Sequence, residues 1–324
     1  MALWTPDRIT TALWLDAADA STITESGGAV SQWADKSGNG RDATQATGNA
    51  QPALTSDAIN SLDALTFDGS NDQLNISNPP ITGTTPRSIF AVVRPHTYGS
   101  NANGFLALTS VRDEVGSTWD QSIELDGFYI RIFGNAHWAP VPELNTPHLS
   151  SVIWASGSVD NTAVFSNGSA MTLAGGNYQT IDTAVADAVI GATPLQPSTH
   201  FDGDIAEIVI VASAVDTPTR QKIEGYLAHK WGLAASLPAE HPYKDSAPGL
   251  FVGTITDKDG NPAERRITVL DATGHCVATD TSDPLTGAYE IDMPNDDPYT
   301  LVFDGEPDRN AQVFANVIPG EPPA

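Results

Sequence analysis

The stretch from Phe201 to Tyr243, FDGDIAEIVIVASAVDTPTRQKIEGYLAHKWGLAASLPAEHPY, constrains the fold more than any other part of the chain. It opens with an apolar strand. Alternation sets Ile205, Glu207, Val209 and Val211 on one face and Ala206, Ile208, Ile210 and Ala212 on the other, so the strand is expected to be central and covered on both sides. A helix follows, with Thr217 as the expected cap, Pro218 at the first helical position and Asp216 near the positive end of the dipole. Ile223, Tyr226, Leu227, Lys230 and Trp231 recur at three- and four-residue spacing, and Gly232 is placed to end the helix in a left-handed conformation. The pattern predicts one amphipathic helix docked on a β core, because the sequence on either side of it reads as strands.

Those flanking strands are short and separated by turn formers. Ala12–Asp16, Val30–Trp33, Ala64–Asp68, Ser88–Arg94, Phe105–Leu108, Ser122–Phe133, Ser151–Trp154, Thr162–Phe165 and Ala184–Ile190 are the candidates, and their spacing implies an antiparallel sandwich. Asp68 leads into Gly69-Ser70-Asn71-Asp72, after which Leu74 and Ile76 alternate with polar residues, so this pair is expected to form a hairpin. Thr109–Gln121 and Gly134–His148 are longer than hairpins require. They carry Arg112, Asp113, Glu114, Trp119, Asp120, His137, Trp138, Glu143 and His148, and form the expected working surface.

At 324 residues the chain suggests two domains. Ser246-Ala247-Pro248-Gly249 reads as the linker. Beyond it, Leu250–Thr256, Arg266–Leu270, Gly287–Ile291, Tyr299–Phe303 and Val313–Val317 predict a small second sandwich, with a turn at Asp259-Gly260-Asn261-Pro262. The expected division is 1–244 and 245–324, the latter with a loose C-terminal end.

Charge bears on partners. Forty acidic residues against 15 basic ones give a formal charge of −25, which repels polyphosphate and excludes nucleic acid and anionic membrane surfaces as expected partners. One cysteine, Cys276, excludes an internal disulfide. The N-terminus has no basic patch followed by an apolar run, and no segment is long enough to span a bilayer, so synthesis and retention in the cytosol, without a signal peptide or membrane insertion, is the expectation.

WADKSGNGRDA at 33–43, LTFDGSNDQL at 65–74, and IAEIVIV followed by YLAHKWGL and LPAEHPY together resemble the laminin G-like jelly roll of the concanavalin A class, over roughly residues 1–244. The resemblance implies an all-β, concanavalin A-like sandwich with one C-terminal helix, a scaffold that hosts lectins, hydrolases and structural modules alike. GTITDKDGNPAERRITVLDATG, TSDPLTGAYEI and NVIPGEP resemble transthyretin-like or carboxypeptidase-regulatory-like modules that recur in bacteriophage tail-associated proteins. This implies a small Ig/transthyretin-like sandwich after the jelly roll.

Candidate chemistry has two readings at each place. Glu124-Leu125-Asp126-Gly127-Phe128-Tyr129 begins like the acidic strand of retaining glucanases of this fold, but Phe128 or Tyr129 stands where a second catalytic carboxylate belongs. Together with the absence of a Gly-x-Ser-x-Gly elbow, this leads to the expectation that the chain is not an enzyme. Asp68, Asn71 and Asp72, with Asp35, form either a calcium site or turns bonded to their own backbone. Tyr98, Trp119, Asp120, His137 and Trp138 either contact sugar rings or cover sheet ends. His200, His229 and His241 lack the spacing of paired zinc ligands.

The combined expectation is a virion protein, made in the bacterial cytosol and placed in several copies on a phage tail tip, fibre or spike. Its partners would be other virion proteins and a host-surface glycan. The alternatives are a non-viral bacterial carbohydrate-binding protein and a polysaccharide depolymerase.

Overall fold

The computed structural model describes residues 4–97, 104–108, 122–125, 128–132, 135–137, 143–157, 161–172, 181–183, 185–192, 200–257, 259–293, 298–305 and 312–317. Two compact units divide the chain: Pro6–Pro238, and Met1–Thr5 together with Ala239–Ala324.

In the larger unit, strands β1 (Leu13–Asp16), β2 (Ile23–Ser26), β3 (Ala29–Trp33), β4 (Ala43–Thr44), β5 (Ala53–Ile59), β6 (Leu62–Asp68), β7 (Leu74–Ile76), β8 (Arg87–Pro95), β9 (Gly104–Ala107), β10 (Ser122–Leu125), β11 (Phe128–Ile132), β12 (Asn135–His137), β13 (His148–Trp154), β14 (Ala163–Ser166), β15 (Ser169–Ala170), β16 (Ala188–Ile190) and β17 (Asp202–Val211) precede the helix α1 (Thr217–Lys230). All their pairings are antiparallel. One run goes from β14 through β13 and β8 to β17. The far edge of β17 is shared, β6 pairing with Asp202–Ile205 and β1 with Glu207–Ile210, and β5, β3 and β2 continue beyond β6. A second run goes β4, β7, β16, β9, β10, β11, β12, and the β3–β4 pair joins the two.

Both runs contribute to one core. Leu13, Leu15, Leu65, Phe67, Ile89, Ala91, Val93, Val152, Trp154, Ile205, Ile208 and Ile210 from the first run pack with Leu74, Ile76, Leu106, Ala188 and Ile190 from the second. The fold is thus an all-β concanavalin A-type sandwich with one α-helix among the described residues.

Three local expectations are corrected. The turn at 69–72 does not close a hairpin: β6 pairs with β5 and β17 while β7 pairs with β4 and β16, so the turn carries the chain from one run to the other. Strand β17 does not alternate strictly. A bulge at Ala206 puts Ile205 and Ile208 in the same core and leaves Glu207 on the other face. The helix is capped by Asp216, whose carboxylate accepts from the Thr219 N–H at 2.9 Å, and not by Thr217.

Nor is the helix amphipathic in the expected sense, since Ile223 to Ala228 are all buried, Glu224 included. Glu224 is paired within the helix to Arg220, whose guanidinium also lies 3.7 Å from the Phe165 ring. Gly232, at φ +73°, ends the helix as expected, and a Cβ there would crowd the Asn60 side chain that donates to the Lys230 carbonyl.

What fixes the helix to the sheet is one buried carboxylate. Glu207 accepts from Trp14 Nε1 (2.8 Å), Tyr226 OH (2.9 Å), Trp231 Nε1 (2.7 Å) and Lys230 Nζ (2.7 Å). Lys230 also reaches Asp16 at 2.6 Å, and Lys36 bridges Asp16 and Asp19 at 2.9 and 2.7 Å. Burial, then the charge of Glu207, hold the Tyr226 hydroxyl far above the usual tyrosine range, so it remains a donor. The motifs IAEIVIV and YLAHKWGL, with Trp14 and Asp16 of β1, are therefore the parts of this joint.

In the second unit, β18 (Gly249–Thr254) pairs with β21 (Ala288–Met293), while β20 (Cys276–Thr281), β19 (Arg266–Leu270), β22 (Tyr299–Phe303) and β23 (Gln312–Val317) form a four-stranded sheet. Its core joins Phe251, Ile267, Val269, Tyr289, Ile291, Met293, Tyr299, Leu301, Phe303 and Val317. Edge-to-face pairs at Phe251–Tyr299 and Tyr289–Phe303 span its strands. The expected linker is part of this unit: Ala247 is buried and the Pro248 carbonyl accepts from the Trp4 N–H.

Candidate functional site

The residues expected to contact sugar fall largely outside the described set: Tyr98, Trp119, Asp120 and Trp138 all do, and so does Asp126. His137 ends β12 opposite Ile130, with its side chain outside that set. Glu124 stands opposite Tyr129 in the β10–β11 ladder.

The proposed calcium ligands lie in two turns. Asp35 Oδ1 accepts from Trp14 N and Ser37 N, and Oδ2 from Ser37 Oγ and Arg41 N. With Asn39 Nδ2 and Arg41 Nη1 donating to the Ala12 carbonyl, the WADKSGNGRDA motif braces the start of β1. In the second turn, Asp68 Oδ1 accepts from Ser70 N and Asn71 N, Asp72 Oδ2 accepts from Asp68 N, and Asn71 Nδ2 donates to the Asn49 carbonyl. Among the described residues no group of three or more His, Cys, Asp or Glu side chains gathers at metal-binding distance.

These bonds give the second turn an unequal pair of acids. Burial opposes ionisation of Asp68, but the N–H groups of Ser70, Asn71 and Asp72 outweigh it and hold the carboxyl below its usual range. Asp72 is pushed up to about 6, by burial and then by the charge of Asp68. The turn packs on β17: Gly69 N donates to the Phe201 carbonyl, and a Cβ on Gly69 would sit 2.8 Å from that of Asp202.

Next to it lies a cluster that sequence reasoning missed. Thr66, Asp204 and Arg94 are cross-strand neighbours on β6, β17 and β8. The Asp204 side chain is buried, yet Oδ2 accepts from Arg94 Nε at 2.6 Å, pairs with Arg94 Nη2 at 2.6 Å and lies 2.9 Å from His96 Nε2; Oδ1 accepts from Thr66 Oγ1 at 2.5 Å. Thr55 Oγ1 extends the chain of hydroxyls. Asp202 accepts from Thr97 Oγ1 at 2.6 Å and stands 3.7 Å from His96 Nδ1, so the imidazole lies between two carboxylates.

The signal for this cluster was an acid inside an apolar strand, FDGDIAEIVIV, opposite an arginine ending another, SIFAVVRPH. A buried charge in such a strand demands partners.

The cluster sits beside the end of one long connection, 134–148. Tyr98 follows Thr97 directly, the Pro95 carbonyl accepts from Asn145 N, and His148 opens β13 opposite Val93. Arg94 and His96 keep a quarter to a third of their side-chain surface in solvent, at 25% and 30%. The arrangement presents charged and hydroxyl groups fixed by a rigid sheet, suited to hydrogen bonding a polar ligand.

No family model and no curated protein matches the sequence. Solved structures similar to it include domain 4 of AbnA, a GH43 extracellular arabinanase from Geobacillus stearothermophilus in complex with arabinotriose. The identity is 13% and the TM-score 0.46, over 65% of this chain and 96% of that one. Trypanosoma rangeli sialidase in complex with sialic acid matches at 13% identity and TM-score 0.47, over 71% of this chain and 34% of that one. A mutant GH54 arabinofuranosidase matches at 13% identity and TM-score 0.44, over 84% of this chain and 68% of that one.

By its own antiparallel strands and shared core the larger unit is a β-sandwich. The expectation that the chain is not an enzyme is corrected: the similar structures include an arabinanase, a sialidase and an arabinofuranosidase, and a fold of this kind hosts enzymes and binding modules alike.

Proposed function

We propose that the larger unit recognises glycan at the end where Thr66, Arg94, His96, Asp202 and Asp204 meet. The observation that carries this is the buried Asp204 carboxylate, which holds Arg94 and His96 in fixed positions while leaving part of each in solvent. Sugar hydroxyls both donate and accept, and a preorganised mixture of guanidinium, imidazole, carboxylate and threonine hydroxyl meets both needs without ordering cost. Trp119 and Trp138, in the sequence that follows, would supply ring faces.

Binding to a printed glycan array tests the reading. Arg94→Lys keeps a cation opposite Asp204 but removes the planar fork, and with His96→Gln is expected to weaken binding about tenfold or more, the loss of one or two charge-assisted bonds. Unchanged binding by the folded double variant would place any glycan site elsewhere.

The finer reading sets this module on a bacteriophage or phage-derived particle, contacting the host surface in several copies. The resemblance of GTITDKDGNPAERRITVLDATG to tail-associated modules supports it, as does the gain of avidity from multiple copies of a weak site. Labelling the chain in purified particles, and comparing adsorption of Trp119→Ala plus Trp138→Ala particles with wild type, tests that placement. Absence of the chain from particles would favour the non-viral carbohydrate-binding reading.

A further inference from the structure

Resting on the glycan reading above, we infer that the site selects neutral glycans and discriminates against those carrying carboxylates. Charge accounting within the cluster gives the reason. Arg94 is matched by the buried Asp204 carboxylate, with which it makes its Nε and Nη2 contacts. His96 lies between Asp204 and Asp202. That leaves Asp202 with no second fixed cation among the described residues of the cluster, while Asp68, its partner across the β6–β17 ladder and the neighbour of His200, adds a further negative charge beside it. Asp68 is held ionised by three backbone N–H groups. The arginine, taken alone, suggests an anion site; its surroundings reverse the sign.

The unused bonding capacity points the same way. Arg94 Nη1 makes no hydrogen bond among the described residues, and Asp202 Oδ1 has only the 3.7 Å approach of His96. One donor and one acceptor therefore remain on adjacent strands. A pair of neighbouring sugar hydroxyls satisfies both, one accepting from Arg94 and the other donating to Asp202. A carboxylate satisfies only the first and meets repulsion at the second. At about 7 Å through water a like charge costs roughly one RT, about a threefold loss of affinity for each unopposed carboxylate.

The experiment prints neutral oligosaccharides beside acidic ones, each acidic glycan accompanied by its own methyl ester so that charge alone differs. The full chain is applied at low salt and at about 1 M NaCl, where the Debye length falls to about 3 Å. Neutral glycans and methyl esters are expected to be retained about three- to tenfold better than the matched acids at low salt, with the gap closing at high salt. Asp202→Asn is expected to narrow the gap at low salt. Should that variant misfold, the salt series on the unaltered chain still reports the same selectivity.

Equal retention of acids and esters at low salt, or preference for the acids, would overturn the inference while leaving glycan recognition standing. Retention of no glycan at either salt would remove the recognition reading itself, and the selectivity with it.

Discussion

Glu207 and Trp231 meet at 2.7 Å, the indole Nε1 that closes the helix donating to a carboxylate on the central strand. Glu207 is buried, so its charge is tolerable only because Trp14, Tyr226 and Lys230 complete the set of donors. The joint ties three segments together, β1, β17 and the helix. It also explains why a helix buried from Ile223 to Ala228 is placed in one orientation.

Breaking this joint from one side strands the other side in a dry environment. Glu207→Leu is expected to destabilise the larger unit by about 3–5 kcal/mol, and Lys230→Met similarly, with the double variant losing less than the sum. Urea midpoints followed by tryptophan fluorescence report this. A loss under about 1 kcal/mol for Glu207→Leu would mean that the donors find water instead.

Asp72 makes stability fall as pH rises. Its folded-state value of about 6 exceeds the ordinary 3.8, so the fold favours the protonated acid; that contribution is complete below the ordinary value and disappears as pH passes through about 6. Asp72→Asn retains an oxygen for the Asp68 N–H and removes the titration. It is expected to raise stability at pH 8 by on the order of 1–2 kcal/mol relative to wild type and to change little at pH 4. Parallel melting profiles for both proteins across this range would refute the assignment.

His148 acts in the opposite direction. Burial on β13 pushes its imidazole down to about 4, so the folded protein keeps it neutral where the unfolded chain takes a proton. Stability present above pH 6.5 is expected to fall as pH drops through the interval to about 4, by roughly 2–3 kcal/mol. Chemical denaturation of wild type and His148→Leu at pH 7.5 and 4.5 separates this from Asp72: the leucine variant should lose less stability between the two.

Gly191 admits no side chain. At φ +83° a Cβ would come 2.2 Å from the Phe67 ring and 3.1 Å from the Asp72 carbonyl. Gly191→Ala is expected to cost about 2–4 kcal/mol and to disturb the 68–72 turn through Phe67. Thermal melts measure the cost, and an unchanged midpoint would show that Phe67 moves freely, against its complete burial.

Periodicity and turn chemistry made much of the architecture legible beforehand. The strands at Arg266–Leu270 and Tyr299–Phe303, the Gly232 terminus and the helix that it ends all follow from local pattern. Local pattern also misled where partners are remote. Leu74–Ile76 looks like the return strand of a hairpin because alternation and a turn are all a hairpin needs locally. Its pairing with Ala188–Ile190, more than a hundred residues on, leaves no mark nearby.

The sequence by itself determined that the chain is β-rich, acidic and built around one strand and helix, because hydrophobic period, capping and charge are properties of neighbouring residues. Tertiary structure alone decided what the charged residues within that pattern do. Glu207 and Asp204 lie three residues apart on one strand, yet one anchors a helix and the other orients Arg94 and His96 at the loop end. The bulge at Ala206 sets both acids on the face away from the core, and the difference comes from what meets β17 there: β1 and the helix at Glu207, β6 and β8 at Asp204. A buried charge takes its meaning from its partners, and those partners are brought together only by the fold.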